Sequence, residues 1–311
     1  MAGTWGKTAA LFAVIIALFV FVGGIVGEYL FGDWLAGLVV ALSLSLVLNL
    51  VSYFACDRLV LWSTRARIVS PAEAPRLAGI VNELSPVFGL VSPRIAIVPS
   101  PSPNAFATGR NERHAVVAAT EGILRILDDR ELKGVIAHEL AHIRDRDVLL
   151  MTFVATLAGA ISYASQVVFF NMIAGGGRGR NEGNPIVLLI AAATAPIAAM
   201  LLRLAVSRTR EFRADEVGAR TIADPEALAS ALQKLEAGVQ RRPLTVGSPA
   251  QSSLFIVNPF RGASIVQLFS THPSTEERIR RLRAMRADLH YHPALRTPSV
   301  GTPATVRPSR S

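Results

Sequence analysis

The sequence predicts an α+β, predominantly helical integral membrane protein, with two transmembrane hairpins and a water-exposed domain built around a small β-sheet. Three observations predict it. Of the 311 residues 51% are apolar and the mean hydropathy is +0.40, too hydrophobic for an ordinary soluble enzyme. The chain nevertheless carries 32 basic and 23 acidic residues, more than a bilayer core could hold, so apolar spans must alternate with a solvated part. The long apolar runs also come in two pairs, at residues 8–27 and 34–54 and again at 148–174 and 185–204.

Residues 8–27 have about the length that crosses a bilayer. Lys7 before them suggests a cleaved leader, but the run is too long, no small-x-small cleavage site follows and a second span comes almost at once. After a short turn holding Glu28 and Asp33, residues 34–54 form that span, with Trp34 and Tyr53 as interfacial anchors. Ser43, Ser45, Asn49 and Ser52 give it a polar stripe suited to packing on another helix. Arg58, Arg65 and Arg67 follow closely, and the turn between the spans has no basic residue, so the positive-inside rule places both ends of the hairpin in the cytoplasm. The third and fourth runs form a second hairpin across the glycine-rich loop 175–184, and Arg203, Arg208, Arg210 and Arg213 bring the chain back to the same side. Arg178 and Arg180 in that loop run against the rule but are outnumbered.

The net charge of +9 points to anionic lipid headgroups rather than nucleic acid, because the basic residues flank apolar spans and form no aromatic-interleaved patch. The single Cys56 excludes an intramolecular disulfide and a cysteine-rich metal site, and fits a reducing compartment. The implied organisation is an N-terminal hairpin at 1–56, a first part of the solvated domain at 57–147, a second hairpin at 148–206, a second part of the domain at 207–293 and a tail at 294–311. The Pro, Ser, Thr and Arg content of that tail predicts disorder.

Within the solvated domain, 71–89 has the pattern of an amphipathic helix with Leu77, Ile80, Val81 and Leu84 inward. Residues 94–98 (RIAIV) read as a strand, and Pro99, Pro101 and Pro103 then force an irregular loop. Residues 104–109 (NAFATG) and 115–119 flank a polar turn and read as a hairpin. Thr120 caps a short helix to Leu127. Residues 207–223, 225–238, with Asp224 as N-cap, and 275–287 follow as helices, and 241–263 reads as a loop that could face substrate or merely solvent.

The chemistry concentrates in residues 135–147, VIAHELAHIRDRD. His138, Glu139 and His142 form H-E-x-x-H. Helical spacing puts both imidazoles on one face, one turn apart, where they can share a zinc ion, with Glu139 beside them as general base. Asp128 and Glu131 supply a capping box at the start of this helix, and Leu132, Val135, Ile136, Leu140 and Ile143 would bury one face. Lys133, Arg144, Asp145, Arg146 and Asp147 keep the motif out of the bilayer, against an intramembrane site. A catalytic zinc needs a third protein ligand, another histidine or a carboxylate. Glu211 fits best, and Asp215 four residues on would share its helical face and orient a ligating histidine; the competing reading pairs both carboxylates with neighbouring arginines.

HELAH followed, after two apolar spans, by SRTREFRADEVGA resembles the HtpX-type membrane zinc proteases, gluzincins related to the CAAX prenyl proteases. PNAFATG and THPSTEERI look like further motifs of that family, so the resemblance spans all but the tail. It implies a gluzincin-type zinc endopeptidase with one Zn2+ per chain, held by His138, His142 and Glu211, with Glu139 catalytic. It also places His272 and Arg278 near the active site, where they would stabilise the transition state, although His272 before Pro273 serves equally as helix-start packing. Asn104, Ala105, Phe106, Ala107 and Thr108 would offer an edge strand to an extended polypeptide substrate. The implied role is degradation of misfolded or damaged membrane proteins at the inner or plasma membrane, with the site facing the cytoplasm, no nucleic-acid partner and an open oligomeric state. The alternative is a non-proteolytic scaffold with a structural or vestigial zinc site, which would have no need of Glu139.

Overall fold

The computed structural model describes residues 32–152, 154, 208–247, 249–260 and 273–291, together with positions 13, 16, 20, 24 and 28. The expectations for the first span, for the third and fourth runs beyond 154, for the loop 175–184, for His272 and for the tail lie outside the described residues.

Helix α1 (Trp34–Ser63) starts at Asp33, whose carboxylate accepts the backbone N–H groups of Leu35 and Ala36 at 2.8 and 3.1 Å. Leu35, Val40, Val47, Leu50, Val51 and Phe54 are exposed on it. The helix does not stop where the second span was expected to end. It runs through the 56/57 boundary to Ser63, and Cys56, Val60 and Leu61 turn inward and are buried. The Thr64 hydroxyl then donates to the Val60 carbonyl at 2.8 Å, and Arg65 turns the chain with a left-handed φ of 56°. Among the described residues no helix is long and apolar enough to cross a membrane. Six side chains inside α1, at positions 41, 44, 45, 48, 49 and 52, are not among those described.

Four strands form one mixed sheet: β1 (Arg67–Val69), β2 (Arg94–Val98), β3 (Ala105–Thr108) and β4 (Val116–Thr120), in the order β1-β2-β4-β3. The expected β3–β4 hairpin is present, with Ala105 opposite Ala119. β4 is also parallel to β2, and β1 adds an antiparallel edge that the sequence did not signal. Alternation along the strands sends Ile95, Ala105, Ala107, Val117 and Ala119 into a large core shared with the helices. The opposite set, Ala96, Val98, Phe106, Val116 and Ala118, packs on Val60, Leu61, Leu254 and Phe255. Both faces of the sheet are therefore covered, and the C-terminal end of α1 is part of the cover.

Helix α2 (Pro75–Leu84) buries the expected Leu77, Ile80, Val81 and Leu84, and passes through a 3-10 turn, Ser85–Phe88, to Gly89 at φ 70°. Thr120 caps α3 (Glu121–Ile126) by accepting the Ile123 N–H at 3.1 Å. The central helix α4 (Asp129–Arg144) has the predicted capping box, with Glu131 N–H to Asp128 Oδ1 at 2.8 Å and Asp128 N–H to Glu131 Oε2 at 3.0 Å. Helices α5 (Arg208–Thr221), α6 (Pro225–Arg241) and α7 (Thr275–Tyr291) complete a bundle in which α4 packs on α5 and α6, and α6 on α7. Before α7, a 3-10 turn, Pro249–Leu254, delivers Phe255 to the outer side of β3, where it forms an antiparallel bridge with Phe106.

Candidate metal centre

The apolar positions of α4 bury one side of the helix, and His138, Glu139 and His142 are themselves 1%, 2% and 4% exposed. Glu211, Asp215 and Gly218 lie along one face of α5. Gly218 explains how close that face can come, since a Cβ there would sit 2.9 Å from the His138 backbone nitrogen. The close approach sets Glu211 against both imidazoles. His138 Nε2 is 3.8 Å from one Glu211 oxygen and His142 Nε2 is 3.5 Å from the other. Ligand atoms of His138, His142 and Glu211 all fall within 4.8 Å of one another, and the two rings stand edge to face at 4.7 Å.

Two atoms each about 2.1 Å from a tetrahedral zinc ion lie roughly 3.4 Å apart, close to the spacings seen here. The donor set of two imidazoles and a carboxylate also suits zinc. In each ring the other nitrogen faces a carboxylate: His138 Nδ1 lies 2.9 Å from Asp215 and His142 Nδ1 lies 3.5 Å from Asp147. Such partners fix the tautomer that turns Nε2 toward a metal. These residues fit the ion.

The electrostatics of the site follow from burial and neighbours. Burial lowers His138 to about 4, with Asp215 opposing the shift. Burial also acts to lower His142, but the hydrogen bond to Asp147 and the charges of Glu211 and Glu139 outweigh it and raise the ring to about 9. Burial pushes the Glu139 carboxyl up to about 7, and the Glu211 charge adds to the effect. Burial acts to raise Asp215 as well, and Arg278 more than reverses it.

The structure brings together all the expected zinc ligands, Glu139, Asp215 and Arg278. Arg278 is 1% exposed and lies behind the ligands. Its Nε and Nη2 donate to the two Asp215 oxygens at 2.8 and 2.7 Å, and its Nη1 donates to the Ile256 carbonyl at 2.6 Å. Three of its five N–H groups are thus committed to holding Asp215 and residue 256. Strand β3 passes beside the motif, close enough for the Ala107 backbone to hydrogen-bond Glu139. The outer side of β3 is not open along its length: the Ile256 N–H donates to the Ala105 carbonyl at 3.1 Å, and Asn104 Nδ2 donates to the Val257 carbonyl at 2.7 Å. Sequence reasoning missed Asp147, taking it as one more charge that keeps the motif out of the bilayer. The available signal was its place five residues after His142, just past the end of α4.

A helix bearing H-E-x-x-H, completed by a carboxylate from a second helix and backed by paired carboxylates, defines a metallopeptidase. The comparisons agree. The model of peptidase family M48 matches residues 71–286, and the chain belongs to that family. It is 48% identical over 288 residues to the Protease HtpX homolog of Pyrococcus furiosus, covering 92% of this chain and 98% of the relative. The Thermococcus kodakarensis homolog is 49% identical over 287 residues, covering 92% and 97%, and that of Syntrophobacter fumaroxidans 45% over 287 residues, covering 91% and 100%. The crystal structure of S. mikatae Ste24p overlaps 90% of this chain and 65% of that one, with a TM-score of 0.45 and 16% identity.

Proposed function

We propose that this M48 metallopeptidase is a zinc-dependent endopeptidase of the inner or plasma membrane, anchored by two transmembrane hairpins with its site on the cytoplasmic side. Its substrates are polypeptides, chiefly misfolded or damaged membrane proteins. The observation that carries the reading is the convergence of His138, His142 and Glu211 beside the buried Glu139. The exposed apolar side chains of α1 and the arginines that follow its apolar part support the membrane placement.

Bound zinc supplies Lewis acidity toward a scissile carbonyl and acidifies a water. The protein groups do the rest. Glu139, buried beside the ligands, takes the proton of the attacking water and passes it to the leaving amine. Asp215 and Asp147 hold the two histidines by Nδ1. Strand β3 offers its backbone to an extended substrate, which suits cleavage with little side-chain preference. The oxyanion donor in this reading is Arg278 or His272, the latter outside the described residues. The retention of Glu139 in the centre disfavours the scaffold alternative.

The test is Glu139→Gln in detergent-purified protein. The variant should keep its zinc and lose roughly 10²–10⁴-fold in casein cleavage. Cleavage at the parental rate would refute the assignment.

A further inference from the structure

We infer that Asp147 and Arg210 form a positioning pair for His142, the counterpart of the Arg278–Asp215 pair behind His138. One carboxylate serves two groups: Asp147 Oδ2 lies 3.5 Å from His142 Nδ1, and Oδ1 accepts from Arg210 Nη1 at 3.2 Å. The geometry is held at a cost. To bring Asp147 back over the end of α4, Arg146 adopts a left-handed φ of 60°, a conformation unfavourable for a non-glycine residue. Arg146 is in turn tied by its Nε to Glu112 at 2.9 Å. Arg210 leaves its Nη2 buried with no acceptor among the described residues, so Asp147 is what holds that guanidinium in place. Arg210 also immediately precedes the ligand Glu211. The pair therefore ties the exit of one metal-bearing helix to the entry of the other, and a carboxylate on Nδ1 fixes the tautomer that presents Nε2.

The test uses full-length protein with zinc or cobalt alone as the probe. Asp147→Ala should weaken zinc binding by about 10–100-fold and alter the visible spectrum of the cobalt-loaded protein. Arg210→Ala should have a smaller effect that Arg210→Lys largely restores. Asp147→Asn, nearly isosteric, guards against misfolding of the alanine variant, and should still weaken zinc binding because it loses the charge. Parental zinc affinity and an unchanged cobalt spectrum in Asp147→Asn would overturn the role, since an ion pair that merely joins two helices moves neither.

A different observation carries a second proposal, which rests on β3 being the substrate rail. We propose that residues 254–257 are an internal strap occupying that rail, which substrate must displace. Phe255 bridges Phe106 in the antiparallel sense and stacks on it edge to face at 5.0 Å. Asn104, the first residue of the rail, bonds both the N–H and the carbonyl of Val257. Arg278, in the metal centre, holds the Ile256 carbonyl. At the far end of β3 the Thr152 hydroxyl lies 3.2 Å from that of Thr108. An extended backbone lying antiparallel on β3 beside Glu139 is the position the substrate would need.

Phe106 and Phe255 are antiparallel bridge partners, and residues so paired lie within the Cα separation a disulfide can span. Phe106→Cys/Phe255→Cys in a Cys56→Ala background should, once oxidised, lose at least roughly 100-fold in casein cleavage and regain it on reduction, with zinc content equal in both states. A second measurement avoids the core substitutions: in Glu139→Gln protein, unfolded casein should speed hydrogen exchange at the Ile256 amide. A locked enzyme that cleaves at its reduced rate, or an Ile256 amide indifferent to casein, would overturn the strap. Failure of the parent to cleave would instead count against the peptidase reading.

Discussion

The Arg278 guanidinium closes on the Asp215 carboxylate through two hydrogen bonds, and the same carboxylate lies 2.9 Å from His138 Nδ1. Arginine, carboxylate and imidazole thus form a buried line from α7 through α5 to α4, and all three residues are at most 4% exposed. The carboxylate compensates the guanidinium charge, and the guanidinium holds Asp215 ionised despite its burial. Arg278→Ala removes one partner and strands a buried charge, a change that typically costs about 3–5 kcal/mol. Chemical denaturation should show a loss of that order. Arg278→Lys cannot make the two-pronged contact and should fall between the alanine variant and the parent. A parental midpoint for Arg278→Ala would mean that the line contributes nothing to the fold.

Glu131 gives the fold a defined acid response. Its carboxylate accepts from the Asp128 N–H at 3.0 Å, the Ser230 hydroxyl at 2.7 Å and Lys234 Nζ at 2.7 Å, so the cap of α4 is also its link to α6. Burial alone would raise Glu131, but Lys234, Ser230 and the Asp128 backbone hold it below the usual carboxylate range. A lowered folded pKa means that the ionised group stabilises the protein above the unfolded value of about 4.3, and that this contribution disappears as pH falls through the folded value. Glu131→Gln should therefore cost about 1–2 kcal/mol at pH 7 and progressively less below about pH 4. Urea unfolding of parent and variant at pH 7 and pH 3 measures the two gaps. Equal gaps would show that the charge of Glu131 is not what matters.

What could be read from the sequence was what local periodicity encodes. The 3.6-residue repeat around HELAH gave α4, its buried face and its capping box, and the four-residue spacing of Glu211 and Asp215 gave the second wall of the metal centre. Asp147 could not be read, because its role depends on a left-handed turn at Arg146, where no glycine marks the conformation. The Phe255–Phe106 bridge joins residues far apart in the chain, and β1 has only three residues, too few for an alternation to register. α1 was cut short for a related reason. Asp57 and Arg58 end the apolar run without ending the helix, because the inward-facing Cys56, Val60 and Leu61 continue into the core.

Gly218 should be intolerant of even a methyl group. An added Cβ would meet the His138 nitrogen at 2.9 Å and the Ala137 carbonyl carbon at 3.0 Å, both backbone atoms of α4, so only a separation of the helices could relieve the contact. Alanine favours a helix over glycine by about 1 kcal/mol, whereas overpacking costs typically 1–3 kcal/mol. Gly218→Ala should lower the melting temperature, and it should weaken zinc binding because Glu211 moves with α5. A variant with raised thermal stability and parental zinc affinity would show that the two helices are not held at this distance by the glycine.

The orientation of the site relative to the membrane can be tested from the packing of α1. Its C-terminal residues Val60 and Leu61 lie in the same core as Leu244 and Phe255, so on the proposed topology residue 245 lies on the side of the membrane where α1 ends. The proposed topology, read from Arg58, Arg65 and Arg67, makes that side the cytoplasm. Thr245 is exposed and touches none of the metal-site residues' hydrogen bonds, so Thr245→Cys should resist a membrane-impermeant maleimide in intact cells and react after permeabilisation. Asp33→Cys, at the opposite end of α1, should react without permeabilisation. The reverse pattern would invert the topology, and labelling of both positions in intact cells would mean that α1 does not cross the membrane at all.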